Sequence, residues 1–199
     1  EGPVDGGRGA PMATGRAVVS GPLSQTVAMR LAVLHSNDGG YFRNALTGKD
    51  FGRSETTVAR GGLAFDAGDR LSLIAKAEWT DSRGDGATTH NNGWFARDDF
   101  TLSVNEEGYY RSKTKFATLR ADYELDNGVI TNIAGWRDYS LHTRNDIDSS
   151  PLTLFHSDTG TTQEQWSNEL FYAADLGGLA FTLGGFLFQL LSGMVNKVM

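Results

Sequence analysis

The sequence predicts an all-β chain, an antiparallel up-and-down meander of about eight strands that forms part of a larger transmembrane β-barrel. Three observations predict it. Segments in which apolar and polar residues alternate recur along the 199 residues. Tight polar turns and long polar loops alternate between those segments. The 25 glycines, 4 prolines and 11% aromatic residues suit sharply turned, closely packed strands. Short connections alternating with long ones give a barrel one plain rim and one elaborated rim, a pattern that in bacteria belongs most often to the outer membrane.

Residues 1–12 (EGPVDGGRGAPM) show no periodicity and read as a disordered lead-in. No basic stretch followed by an apolar run opens the chain, so a mature or internal start is expected rather than a signal peptide. The first strand is expected over Ala13–Ser20, closed by the turn Gly21 to Gln25. The second runs from Thr26 to about Ser36, with Val27, Met29, Leu31 and Val33 on one side. A long polar loop, Asn37 to Glu55, follows. The third strand, Thr56–Phe65, turns at Asp66 to Asp69 into the fourth, Arg70–Thr80.

That fourth strand alternates most cleanly. Leu71, Leu73, Ala75, Ala77 and Trp79 fall on one face; Ser72, Lys76, Glu78 and Thr80 fall on the other, interrupted by Ile74. Such a strand divides a greasy environment from a wet one. The longest loop, Asp81 to about Arg111, precedes a fifth strand over Ser112–Leu125. Asp126-Asn127-Gly128 is a hairpin turn, because Asn-Gly supplies the positive φ angles of a type I′ turn. The sixth strand, Val129 to about Leu141, has faces that its own sequence does not distinguish. After a loop from His142 to Thr161 come the seventh strand, Thr162–Ala173, and the eighth, Leu179 to about Gln189. These lengths match the ~9–11 residues of a tilted membrane crossing better than the ~5–6 of a soluble sandwich strand.

A net charge of −6 argues against a nucleic-acid partner, which calls for a basic face. Zero cysteine excludes disulfides, iron–sulfur ligation and a thiol nucleophile. The four histidines, His35, His90, His142 and His156, are far apart in sequence, and none sits in a His-Glu-x-x-His helix. No glycine-rich phosphate loop and no Gly-x-Ser-x-Gly occurs, so neither enzymatic activity nor a cofactor is expected. Asp81 to Gly86 departs from a calcium loop, with Arg83 at a ligand position and Asn92 where a bidentate Glu belongs. A weaker cation site among Asp81, Asp85, Asp98 and Asp99 stays open.

Several segments resemble TonB-dependent outer-membrane receptors. Val19-Ser20-Gly21-Pro22-Leu23-Ser24 with Ala28 to Ala32 is similar to the first hairpin of that barrel, and Asp38 to Asn44 with Thr47-Gly48 to its outer loop. Gly135-Trp136-Arg137-Asp138-Tyr139 resembles a mid-barrel strand. Gln165 to Leu170 and Gly184 to Phe188 resemble a later strand and the glycine-rich arm after it. The resemblance implies a barrel of about 22 strands. It also implies an N-terminal plug, with import of ferric siderophores or other scarce solutes driven by the TonB system. Expected partners are therefore outer-membrane lipid, a small-molecule ligand, and the plug and TonB of a full-length parent, at the bacterial outer membrane.

Neither a plug nor a TonB box precedes Ala13, and Leu190–Met199 does not read as a barrel strand. Residues 13–189 are thus expected to form part of a receptor barrel, with 190–199 a non-barrel tail. Aromatic and arginine residues of the long loops suit an anionic, partly aromatic chelate through stacking and charge. The expected ligand residues are Tyr41, Arg43, Trp94, Phe95, Arg97 and Tyr110. Trp79 and Tyr109, near strand ends, fit an interfacial aromatic girdle instead. The polar faces, with Lys76, Glu78, Arg120, Asp122, Glu124, Gln165 and Glu169, are expected to line the lumen.

Three alternatives remain at this level: a self-contained eight-strand outer-membrane barrel, a soluble β-rich binding domain, and a single membrane helix within the uncharged run Leu176–Val195.

Overall fold

The computed structural model describes residues 10–96 and 99–198. The expected lead-in falls largely on residues 1–9, outside that set. Eight long strands form one sheet. They are β1 (Met12–Pro22), β2 (Val27–Asp38), β5 (Ser54–Asp66), β6 (Leu71–Gly84), β8 (Tyr109–Leu125), β9 (Gly128–Asp146), β10 (His156–Asp175) and β11 (Ala180–Val198). Within the loops lie the short strands β3 (Phe42–Asn44), β4 (Asp50–Phe51) and β7 (Thr101–Leu102), which make a second sheet. In the large sheet every strand pairs antiparallel with its sequence neighbour among the long strands. Short turns therefore gather at one rim and long loops at the other.

β1 and β11 are the two edges, and no ladder joins them among the described residues. A closed eight-strand barrel requires that pairing, so the sheet is open and that alternative is corrected. The membrane-helix alternative fails as well. Leu179–Val195 lies almost wholly in β11, and no helix of the described residues is long and apolar enough to cross a membrane.

The expected tail is also corrected. Leu190–Val198 continues β11, opposite Ser157–Gln165 of β10. The run LLSGMVNKV escaped recognition because β11 is apolar on both faces and lacks period-2 contrast. The other strands likewise outrun their expected bounds, with β9 and β10 reaching 19 and 20 residues. Polar side chains flank both sides of the ladder near the long-loop rim, so alternation fades there while backbone pairing persists.

Directly opposed residues of an antiparallel ladder share a face. One row runs Val19, Leu31, Gly61, Ala77, Ala117, Trp136, Trp166 and Gln189 across all eight strands. The next, toward the short turns, runs Met29, Leu63, Ala75, Leu119, Ala134, Asn168 and Leu187. The opposite face carries Arg30, Lys76, Thr118 and Ser167 in one row, then Arg60, Glu78, Arg137 and Gln165 in another. Ion pairs on that face join Arg60 to Glu78 and Arg120 to Asp122. All seven residues expected on the polar face lie there.

The apolar face is uncovered. Trp166 is 52% and Leu187 75% exposed, with Leu31, Leu63, Leu119 and Leu170 near half. On β6 the band extends from Leu71 to Trp79, about 26 Å along the strand. Beyond it, on the same face, come Asp81 and Arg83. On β8 the change falls between Ala117 and Lys115. A contiguous apolar band this wide exceeds what soluble monomers expose.

Candidate functional site

At the long-loop rim, β3 is the centre of a small knot. It pairs antiparallel with β4 and parallel with β7. Phe51, Leu102 and Val104 form its core, with Phe42 packed against them. Asn44 is wholly buried within it. Its Nδ2 donates to the Val104 carbonyl at 2.9 Å, and its Oδ1 accepts from Leu46 N–H at 3.1 Å. One amide side chain thereby ties the first long loop to the second. This role is invisible in sequence, because the two loops meet across 60 positions.

The expected ligand residues do not converge on one point. Tyr41 is half exposed and packs with Phe42 at 4.8 Å and edge-on with Phe100 at 5.5 Å. Arg43, also exposed, donates its backbone N–H to the Phe100 carbonyl. In the second loop Phe95 stacks obliquely on His90 at 5.8 Å, while Trp94 is 52% exposed. Arg97 lies outside the described residues. Tyr110, expected in the loop, stands on β8 opposite Gly84. Its Cε1 is 2.6 Å from where a Cβ on Gly84 would be. The ladder reaches Tyr110 because the glycine leaves room for its ring. Tyr109 is also on β8, where it packs edge-on against His142 at 5.2 Å, well past the charged rows.

The open cation possibility meets occupied carboxylates. Asp85 accepts from the N–H groups of Gly52 and Arg53 and from the Arg53 guanidinium, which holds that guanidinium above its usual range. Asp81 faces Lys113 at 3.7 Å, and Asp99 accepts from the Thr101 hydroxyl. Asp98 lies outside the described residues. Among those described, Asp146, Asp148 and His156 bring three ligand-type atoms within 4.8 Å of one another. Those carboxylates also have donors. Asn105 and Ser149 N–H serve Asp146; Phe155 N–H and the Ser150 hydroxyl serve Asp148. Burial raises the Asp146 carboxyl above the ordinary range, reinforced by Asp148 and opposed by the N–H donors.

At the upper edge of the apolar band, Trp136 and Trp166 face each other at 6.1 Å. Both indoles donate to Glu164 Oε1, at 3.4 and 3.1 Å. Trp79 stands one row further toward the long loops, opposite Lys115.

No family model matches the chain, and no curated protein is significantly similar to it. Among solved structures, the crystal structure of the ferric yersiniabactin uptake receptor FyuA from Yersinia pestis superimposes with a TM-score of 0.78 at 18% identity. The match covers 94% of this chain and 30% of the receptor. The fold is thus that of a barrel segment of such a receptor, and the chain spans less than a third of its length.

Proposed function

We propose that this chain is a segment of an outer-membrane active-transport receptor for ferric siderophores or similar scarce solutes, energised by the TonB system. One observation carries the reading: the ladder registers sort apolar and polar residues onto opposite faces from β1 to β10, with β11 apolar on both, and the apolar band ends at tryptophans. Moving the exposed half of each leucine of that band into hydrocarbon is worth roughly 1 kcal/mol. Indoles belong at the border, with rings in the apolar zone and N–H groups toward water. The likeness to an uptake receptor supports the transport half of the reading.

In this reading the polar face, with Lys76, Glu78, Arg120 and Glu169, lines the lumen and meets the plug of a full-length receptor. Tyr41, Arg43 and Trp94 present exposed aromatic and cationic groups to an anionic chelate, with Phe95 in the second long loop, Tyr110 at the adjoining strand end and Arg97 close to Trp94 in sequence. These residues provide stacking and charge, and no bond is made or broken. The test is quenching of tryptophan fluorescence in vesicles of brominated phosphatidylcholine, using Trp94→Phe so that only Trp79, Trp136 and Trp166 report. Strong quenching by bromines near the glycerol level supports the reading. Emission untouched by bromines at every depth overturns it.

A further inference from the structure

We infer that Asn92, in the second long loop, is a site of spontaneous deamidation, at which the Gly93 backbone nitrogen closes a ring on the Asn92 side chain. The nitrogen bonds to Cγ and gives up its proton, and the side-chain amide leaves as ammonia. Water then opens the succinimide at either carbonyl, leaving aspartate or isoaspartate. Nothing is oxidised or reduced. The step needs a following residue without a side chain in the way, a free carboxamide, and a backbone able to turn the nitrogen onto Cγ.

The described residues contain four Asn-Gly or Asp-Gly pairs, and three are locked. At Asp38-Gly39 the carboxylate accepts from Gly40 N–H at 2.9 Å, Gly39 N–H donates to the Pro11 carbonyl, and a Cβ on Gly39 would collide with that of Ala10. At Asp85-Gly86 the carboxylate is held by the Arg53 guanidinium, and Gly86 N–H donates to the Glu107 carbonyl at 3.0 Å. Asn127-Gly128 is closed by backbone. Gly128 pairs with Leu125 in the ladder, the Asn127 carbonyl accepts from Asp175 N–H at 3.2 Å, and a Cβ on Gly128 would collide with the Ala173 carbonyl. Turning the Gly128 nitrogen onto Asn127 therefore requires the end of the β8–β9 hairpin to open.

Asn92-Gly93 is the open pair. Both residues are exposed, and among the described residues no hydrogen bond holds the Asn92 carboxamide. Gly93 N–H donates to Asn91 Oδ1 at 2.9 Å, a local bond that an exposed turn exchanges for water. A Cβ on Gly93 would meet nothing closer than the end of the Asn91 side chain, at 3.2 Å. The consequence reaches Trp94. Trp94 and Phe95 donate their N–H groups to the Asn91 carbonyl at 3.0 and 3.1 Å. Isoaspartate adds a carbon to the main chain inside that turn, and either product adds a carboxylate two residues from Trp94. In the transport reading this is a loop offered to an anionic ligand.

The 199-residue chain, folded in neutral detergent, is aged in mildly alkaline buffer at physiological temperature. Its peptides are mapped by mass spectrometry with electron-transfer fragmentation, which separates aspartate from isoaspartate. Conversion at Asn92 is expected to be at least about tenfold faster than at Asn127, with Asp38 and Asp85 not isomerised. In denaturing urea the two Asn-Gly pairs are expected to convert alike, because the fold alone distinguishes them. Asn92→Gln is expected to abolish conversion at that position. Amide exchange at Trp94 and Phe95 is expected to rise with the converted fraction. An intact Asn92 after Asn127 has converted overturns the proposal, as does equal conversion of the two while the amides of the sheet stay protected. Conversion at Asn92 with unchanged exchange at Trp94 and Phe95 overturns its reach to Trp94.

Discussion

Trp136 and Trp166 stand directly opposite one another on β9 and β10, and both donate their indole N–H to a single carboxylate oxygen of Glu164. The contact from Trp166 is the shorter. A double-mutant cycle between Trp166→Phe and Glu164→Gln is therefore expected to show coupling of about 0.5–1.5 kcal/mol, and the cycle with Trp136→Phe less. Unfolding by urea in vesicles checks both values.

Gly84 is held open by its neighbours. A side chain there meets the Tyr110 ring and the Arg53 carbonyl. The ring can swing aside, but the carbonyl belongs to the backbone. Gly84→Val is expected to destabilise the sheet by about 1–3 kcal/mol, and Tyr110→Ala to recover only part of that. Thermal unfolding of the two single variants and the double variant measures the recovery.

The Asn44 side chain is a buried tie within the loop knot. Asn44→Leu leaves the Val104 carbonyl and Leu46 N–H without their partner, at a cost of about 1–3 kcal/mol. The loss is local, because the knot has its own core. Limited proteolysis is expected to accelerate at residues 39–53 and 85–108 while the strands stay protected.

Asp146 and Asp148 give the β9–β10 loop opposite responses to pH. Burial holds Asp146 above the ordinary carboxylate range in the folded loop. Its stabilising contribution is complete below the unfolded value and is lost as pH rises through the raised one. Burial also pushes Asp148 upward, but the Ser150 hydroxyl and the N–H groups of Phe155, Leu154 and Ser150 outweigh it and hold it low. Its contribution is present above the unfolded value and is lost as pH falls through the lowered one. Amide exchange over residues 149–155, corrected for intrinsic rates, is expected to be slowest near the ordinary carboxylate value. Asp146→Asn is expected to remove the decline on the neutral side.

Much of the fold was legible in sequence because period-2 contrast exists wherever one face of a strand differs from the other. Leu71 to Trp79 gave the faces of β6, and Asp126-Asn127-Gly128 gave the place of the β8–β9 turn, although none of the three takes the positive φ of the expected type I′ turn and Gly128 already belongs to β9. Contrast vanished in two settings. In β11 the polar side carries Phe186, Phe188 and Leu190, so Leu190–Val198 read as a tail. Near the long loops both faces are wet, so the last residues of β6, β9 and the start of β10 read as loop. For β9 the faces came only from register, with Trp136 fixed by its partners Ala117 and Trp166. The site was less legible than the fold. Aromatic and arginine composition singled out Tyr41 and Trp94, but nothing local indicated that Asn44 would be buried or that Tyr110 would join the sheet wall.

The central claim is that one face of this sheet meets hydrocarbon. Leu119 lies in the middle of the apolar band, and Ser167 lies in the adjacent row on the polar face beside Glu169. The decisive measurement is the free energy of folding into phosphatidylcholine vesicles for Leu119→Arg and Ser167→Arg. The account predicts a loss of about 2–4 kcal/mol for Leu119→Arg and close to none for Ser167→Arg. Equal effects of the two substitutions, or a larger loss for Ser167→Arg, would contradict it.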